Sequence, residues 1–358
     1  MIGEGELMLR VGVAAHRIRT IEVASTRVPL PARLTHGRGV EDVARTIPRL
    51  YSLCAHAHAA AAAGALEAAS GSAPGPEQRQ QRAFDVRREA IVELLSRLLI
   101  DWPRVLELQP DVAAIARVRQ AAPDRQLAVC NEIAHAQVFG TEVAAWLEAG
   151  SADVERWIDA AATLPARCLR GLLRDCADLG RSAVETMPET DIDELARMLP
   201  PLDGSAEFSR RPKWNGIPVE TGAIARHVRD PRVGLFSERY GNSVATRFLA
   251  QLVDLAMALA AHRSSEGVQQ VAPVPGIGIG LAQTARGLLL HQARVHAGRV
   301  LDYRIIAPTE WNFHPDGALK QGLVERPVRD AGAARRDTAL LVQALDPCVA
   351  CSIEVVDA

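Results

Sequence analysis

Two short stretches concentrate residues able to hold a metal or do redox chemistry. Near the C-terminus, "DPCVACSIEVV" places Cys348 and Cys351 in a C-x-x-C, with Glu354 three positions further on. Two thiols at this spacing can hold one soft metal, oxidise to a disulfide, or simply pack. Alone the pair is half of a zinc-type site. Near residue 50, "RLYSLCAHAH" sets Cys54 four positions before His58, where an alanine-rich run begins. Taken alone, that stretch equally fits a buried cysteine and a surface histidine. Cys130, Cys168 and Cys176 have no such spacing and are expected to be buried thiols. A third stretch, "TARGLLLHQARVHAGRVLDYRIIAPTEWN" over 284–312, joins Arg286-Gly287, a helix-like run, a strand and Pro-Thr-x-Trp-Asn. Arg286 by itself fits an ordinary salt bridge. Gly276, Gly278 and Gly280 in "PGIGIG" hint at a phosphate loop. A dinucleotide fingerprint, however, needs a preceding strand and a βαβ unit.

These residues must be positioned by a chain of 358 residues, long enough to bury a large core without disulfides. Charged residues make up 23%, hydrophobic residues 48%, and the net charge is -2. No basic footprint of a nucleic-acid binder stands out. No apolar run reaches the ~20 residues of a membrane span. "MIGEGELMLRVGV" lacks the basic and apolar regions of a signal peptide. A cytoplasmic protein with reduced thiols is expected.

Leu7, Leu9, Val11 and Val13 alternate, and Ile18, Ile21 and Val23 follow, which predicts a β-hairpin over 6–24. "FDVRREAIVELLSRLLIDW" and "ATRFLAQLVDLAMALAAH" carry helical spacing. "SGSAPGPEQRQQ" is a loop. The fold class is α+β, predominantly helical, in one domain over 1–358. Its parts are the hairpin, a helical stretch over 41–200, a loop-rich stretch over 201–240, and a helical stretch over 241–358 with a short strand and the terminal C-x-x-C.

Together, Arg49 to His58, Thr284 to Gly287, Pro308 to Asn312 and Asp346 to Cys351 resemble the large subunit of nickel–iron hydrogenases. That family carries R-x-C-G-x-C-x-x-x-H, A-P-R-G, P-T/S-x-W-N and D-P-C-x-x-C-x-x-H in this order. "EGEL" also resembles its E-G-H-L, with Glu6 in place of the histidine. The resemblance implies a hydrogenase large-subunit-like helical core with the small hairpin and peripheral short strands. It also implies that Cys54 and Cys351 stand where thiolates bridge nickel and iron. Cys348 stands at a nickel-only position, and Tyr51 replaces the other nickel-only cysteine. A phenol is a harder ligand than a thiolate. Arg286 and Thr309, next to Pro308, match donors to the iron's cyanides; Leu289 and Ala307 would lie near its carbon monoxide. His58 would support a bridging thiolate, the alternative being a solvent-facing histidine.

The departures point away from turnover. Ala32 stands where a gap-free count puts a proton-carrying glutamate, and an aliphatic side chain relays no proton. Ala285 and Gln283 replace a proline and a glutamate, and Glu354 replaces the terminal histidine. Glu354 with Glu4 is a candidate hard-cation site. Four residues follow Glu354, leaving no tail comparable to the one removed from catalytic precursors. The pattern resembles hydrogenase accessory proteins of the HupK/HoxV type, large-subunit paralogues implicated in metal-site assembly. It implies a non-enzymatic scaffold that holds the Fe(CN)2(CO) fragment transiently, without nickel. The implied partners are maturation chaperones and the catalytic large-subunit precursor. A metal-free docking protein for those chaperones and a divergent hydrogenase remain the alternatives. The scaffold reading requires Cys54, Cys351 and Arg286 to converge.

Overall fold

A computed structural model describes residues 5–26, 34–189, 191–202, 207–260 and 267–358. Glu4 and Ala32 lie outside them. The chain opens with β1 (Glu6–Ala14) and β2 (Arg17–Ser25), an antiparallel hairpin. Leu7, Leu9 and Val11 point inward from β1, as strand alternation requires. The last strand pairs parallel with β1, with Glu6 opposite Ala350 and Leu7 opposite Cys351. The two ends of the described chain therefore share one sheet, ordered second, first, last.

Between them lie the helices. Ala55–Ala69 (α1) is buried on nearly every side, which its alanine content permits. Pro76–Ser96 (α2) packs beside it and runs into a π-helical turn at Arg97–Asp101. Shorter helices fill 102–176, and Val244–Ala260 (α3) crosses the core with Phe248, Leu252 and Leu255 fully buried. The stretch 201–240, expected to be loop-rich, contains helices at Ala223–His227 and Pro231–Tyr240. Leu164–Cys176, within 102–176, buries Cys168 and Cys176, and Cys130 is also buried.

The largest departure from expectation lies beyond α3. Ahead of α3, β3 (Glu185–Thr186) and β4 (Val219–Glu220) form a short parallel pairing; after α3 comes a four-stranded antiparallel meander. Its strands are β5 (Val268–Val274), β6 (Ile277–Thr284), β7 (Gly287–His296) and β8 (Arg299–Ile306). The run after Gly287 is thus a strand, not a helix. β7 is covered on both faces, so its consecutive Leu288, Leu289 and Leu290 are all buried and carry no period-2 signal. Helices α4 (Pro308–Asn312) and α5 (Ala331–Leu345) then lead to the last strand, β9 (Ala350–Asp357).

"PGIGIG" is not a phosphate loop. Gly276 makes the turn between β5 and β6, and Gly278 and Gly280 lie in β6 beneath α1. A Cβ on Gly280 would run into the Ala61 carbonyl oxygen and the Ala65 nitrogen, and one on Gly278 into the Ala65 oxygen. Gly64 returns the fit from the helix, where a Cβ would stand 3.4 Å from the Gly280 Cα. The glycines let a helix lie almost on the strand backbone, which fixes the level of Cys54 at the helix start. Gly280→Ala must push α1 outward, at a cost of about 3 kcal/mol. Gly171→Ala, in open space within the helix Leu164–Cys176, is expected to be neutral or slightly stabilising. Urea midpoints of the two variants check this, and equal midpoints would refute the packing role.

Candidate metal-fragment site

Cys54 precedes α1 with φ at 57°, a left-handed conformation rare for a residue with a side chain. Its own side chain does not cap the helix. Glu89 of α2 does so instead: its carboxylate accepts from the backbone N–H groups of His56 and Ala57 at 2.9 and 3.0 Å. The Cys54 sulfur is thereby left to face a mostly apolar pocket-like cluster of buried side chains that also holds Cys348, Leu289 and Ala307. Both thiols are buried and unoxidised.

Arg286 enters this pocket from the β6–β7 turn and is nearly fully buried. The backbone N–H groups of Arg286 and Gly287 both donate to the Thr284 hydroxyl at 3.1 Å. Gly287 adopts φ 130°, and a Cβ there would strike Thr221. From this tight turn the guanidinium reaches three partners. Nη1 donates to the Cys54 sulfur at 3.3 Å, and Nη2 to Glu93 at 2.8 Å. Nε stands 3.3 Å from Asp346 Oδ1, without hydrogen-bond geometry, and is an orphaned donor. Asp346 is held from the other side by Arg97 at 2.5 Å. Burial works against the charged guanidinium, but Asp346, Cys54 and Glu93 outweigh it, and its pKa rises well above the usual value.

Across the pocket, α4 supplies Thr309. Its hydroxyl accepts from the Cys348 backbone N–H at 3.0 Å and lies 2.8 Å from the Cys348 sulfur. Pro308 is buried at the first turn of α4. Asn312, one turn on, ties the elements together. Its amide nitrogen donates to the Arg286 and Leu345 carbonyls at 3.3 Å each, while its oxygen accepts from Thr221 N–H at 2.8 Å.

Cys54, Cys348, Arg286, Thr309, Leu289 and Ala307 are thus brought together. Cys351 is not. It faces inward from β9 opposite Leu7, its sulfur makes only a long 3.9 Å contact to the Ser352 carbonyl, and its charged neighbour is Glu6. No hydrogen bond or charge interaction links it to Cys54 among the described residues. The direct contacts of Arg286 and Thr309 thus reach Cys54 and Cys348, while Cys351 packs against the core behind the hairpin. The physical reason is strand geometry: pairing from Ala350 onward binds Cys351 to the hairpin sheet, while Cys348 precedes the strand and remains with Thr309. Glu354 projects from the outer face of β9, is 70% exposed at its side chain, and stands 3.7 Å from Arg10. Glu4 being outside the described residues, the candidate cation site finds an arginine at its one visible carboxylate. No group of three or more histidine, cysteine, aspartate or glutamate side chains fit to hold a metal occurs among the described residues.

His58 is buried, not solvent-facing. Its ring stacks on Tyr51 with centroids 3.6 Å apart, and Nδ1 lies 3.0 Å from His291 Nε2. His291 Nδ1 lies 2.7 Å from the Tyr303 hydroxyl. Burial pushes His291 down to about 3, so it is a neutral imidazole, and raises Tyr303 well above its usual value. His58 therefore belongs to a buried polar chain under the sheet. Its partners His291 and Tyr303, like Glu93, give no sequence signal because they meet only through tertiary packing; Asp346 showed as a motif residue but not as a partner of Arg286.

Two measurements follow from this geometry. Burial pushes the Cys54 thiol up to about 12, the nearby Arg286 only partly offsetting it. Cys168 is likewise raised to about 12, and Cys130 and Cys176 to about 11. Between pH 9 and 11 these thiols ionise in the unfolded chain but not in the folded one. Stability is therefore full below about pH 9 and falls above it, by about 1.4 kcal/mol per pH unit for each such thiol. Urea midpoints that stay flat from pH 8 to 10.5 would contradict this. Arg286→Met leaves half-buried Glu93 without its partner and buried Asp346 with Arg97 alone, and should cost about 3 kcal/mol. Adding Glu93→Gln should return part of that loss in a double-mutant cycle.

Residues 237–354 match the family model described as nickel-dependent hydrogenase. The chain is 32% identical to the hydrogenase expression/formation protein HoxV of Cupriavidus necator, over 93% of this chain and 92% of that one. It is also 32% identical to HupK of Azotobacter vinelandii, over 99% of each. Among solved structures it is similar to the nickel–iron–selenium hydrogenase of D. vulgaris Hildenborough, with a TM-score of 0.62 and 14% identity. That likeness covers 94% of this chain and 95% of the other. No helix among the described residues is long and apolar enough to cross a membrane. This chain belongs to the HupK/HoxV family of hydrogenase expression/formation proteins, built on the nickel–iron hydrogenase large-subunit fold.

Proposed function

We propose that the protein is a hydrogenase maturation scaffold that holds an Fe(CN)2(CO) fragment in the Cys54 pocket and passes it to a catalytic large-subunit precursor, without turning over hydrogen itself. The observation that carries this reading is a buried arginine 3.3 Å from a buried thiol, in an apolar pocket with a second thiol. Soft sulfur donors suit a low-valent iron, and cyanide is an anion that must be met by donors once water is excluded. The Arg286 guanidinium, with its orphaned Nε, and the Thr309 hydroxyl are such donors. Leu289 and Ala307 supply the apolar wall that a carbonyl ligand tolerates.

Cys54 is the first anchor, and the geometry favours Cys348 as the second. Each thiol loses its proton as it ligates the iron, so uptake releases protons and acid favours release. The high pKa of Cys54 keeps the vacant pocket uncharged at its sulfur. Two protein sulfurs complement the three diatomic ligands that the fragment brings, which suits a load that must leave again. Partners in this reading are the maturation chaperones and the precursor that receives the iron, and nickel has no place in it.

Protein co-produced with a maturation system is expected to show cyanide and carbonyl infrared bands with iron and without stoichiometric nickel. Cys54→Ala and Cys348→Ala should abolish the bands, and Cys351→Ala should keep them. Bands lost with Cys351→Ala and kept with Cys348→Ala would move the second anchor to Cys351. Bands kept in all three variants, or absent from the unaltered protein, would reject the scaffold and leave the metal-free docking role.

A further inference from the structure

The Cys54 pocket is closed over by protein, so cargo needs a way in. Beside it lies a cavity of about 560 Å³ between the C-terminal end of α2, the turn at Arg97–Asp101 and the helix Val112–Gln120. That size is typical of small-molecule sites, which span about 300–1,000 Å³. Leu53, the neighbour of Cys54, and Arg286 both line it. Arg286, whose guanidinium donates both to the Cys54 sulfur and to Glu93 of the cavity wall, therefore joins the two sites.

The lining carries more positive than negative groups. Arg97, Arg104, Arg119 and Arg286 stand against Glu93 and Asp101. Both carboxylates are already engaged: Glu93 accepts from Arg286 at 2.8 Å, and Asp101 from Arg97 at 2.9 Å. Arg104 and Arg119 are exposed and form no ion pair among the described residues. A partly enclosed, low-dielectric cleft with uncompensated positive charge at its rim concentrates small anions. The apolar side chains of Leu53, Ile100 and Ile115 share the wall. A ligand that is anionic overall yet carries a non-polar diatomic group matches both.

We propose that this cavity is the port through which a small anionic cyano-iron complex reaches Cys54, with Arg104 and Arg119 drawing it in and Arg286 receiving it at the floor. The identity of the cargo rests on the scaffold reading; the port itself does not. Arg286 passes the anion from one side of its guanidinium to the other, from cavity to thiol, so that no step leaves a cyanide without a donor.

The test separates the two ideas. Hexacyanoferrate(II), a stable cyano-iron anion, is titrated into the purified chain. Binding should weaken at least about five-fold in the Arg104→Glu/Arg119→Glu variant. It should also weaken with added salt. An Arg229→Glu/Arg335→Glu variant, with the same net charge change at exposed sites outside the cavity, should bind as the unaltered protein does. Arg104→Ala/Arg119→Ala should fall between. In the maturation host, the rim variant should acquire its infrared bands at least about five-fold more slowly, with band positions unchanged. Equal binding and equal loading in the rim and control variants would overturn the port. If the unaltered protein shows no bands, the scaffold reading fails, and the hexacyanoferrate titration still decides whether the cavity takes anions.

Discussion

A guanidinium buried beside a thiol governs the centre of this molecule. Arg286 carries a full charge into a region where desolvation costs several kcal/mol. Three groups from three parts of the chain meet that charge: Glu93 from α2, Asp346 from the end of α5, and the Cys54 sulfur at the start of α1. Each has a further duty. Asp346 is the left-handed C-cap of α5 and leads directly to Cys348, and Glu93 lies one helical turn from Glu89, which caps α1. Shifting Arg286 would disturb two helix ends and both thiols together.

Much of this was legible in sequence, for reasons that can be stated residue by residue. The hairpin showed because one face of β1 is covered and the other is not, so alternation survives. Arg286, Thr309 and Cys348 showed through the resemblance of their stretches to hydrogenase large-subunit motifs, whose Gly287, Pro308 and Asn312 turn out to shape the turn and the helix start around them. The meander did not show. β7 is buried on both faces, and its leucines have no polar counterpart from which to read a period. The two glycines of β6 misled in another way. Glycine marks close approach of backbone to something, and composition does not say whether that is a phosphate or an alanine helix.

The thiols were harder. Cys348 and Cys351 differ by three residues, and motif alignment alone ranks the second as the bridging position. What separates them is where β9 begins, a boundary that depends on pairing with residues at the other end of the chain. His58 was similarly ambiguous. Its burial is decided by Tyr51, which lies flat against it, and by His291 and Tyr303, which arrive from strands more than two hundred residues later in sequence.

The pairing of β1 with β9 has a consequence in time. Glu6 meets Ala350 across almost the whole length of the chain, and such a contact bears a large loop-closure entropy until the intervening core has formed. During synthesis α1 and Arg286 emerge well before Cys348, so a growing chain exposes Cys54 without its companion sulfur. The two sulfurs meet only when Thr309 has taken hold of the segment just ahead of β9. Readiness to hold anything there is then a report on folding: the two-sulfur site exists only in a molecule whose late segment has docked onto its early helix.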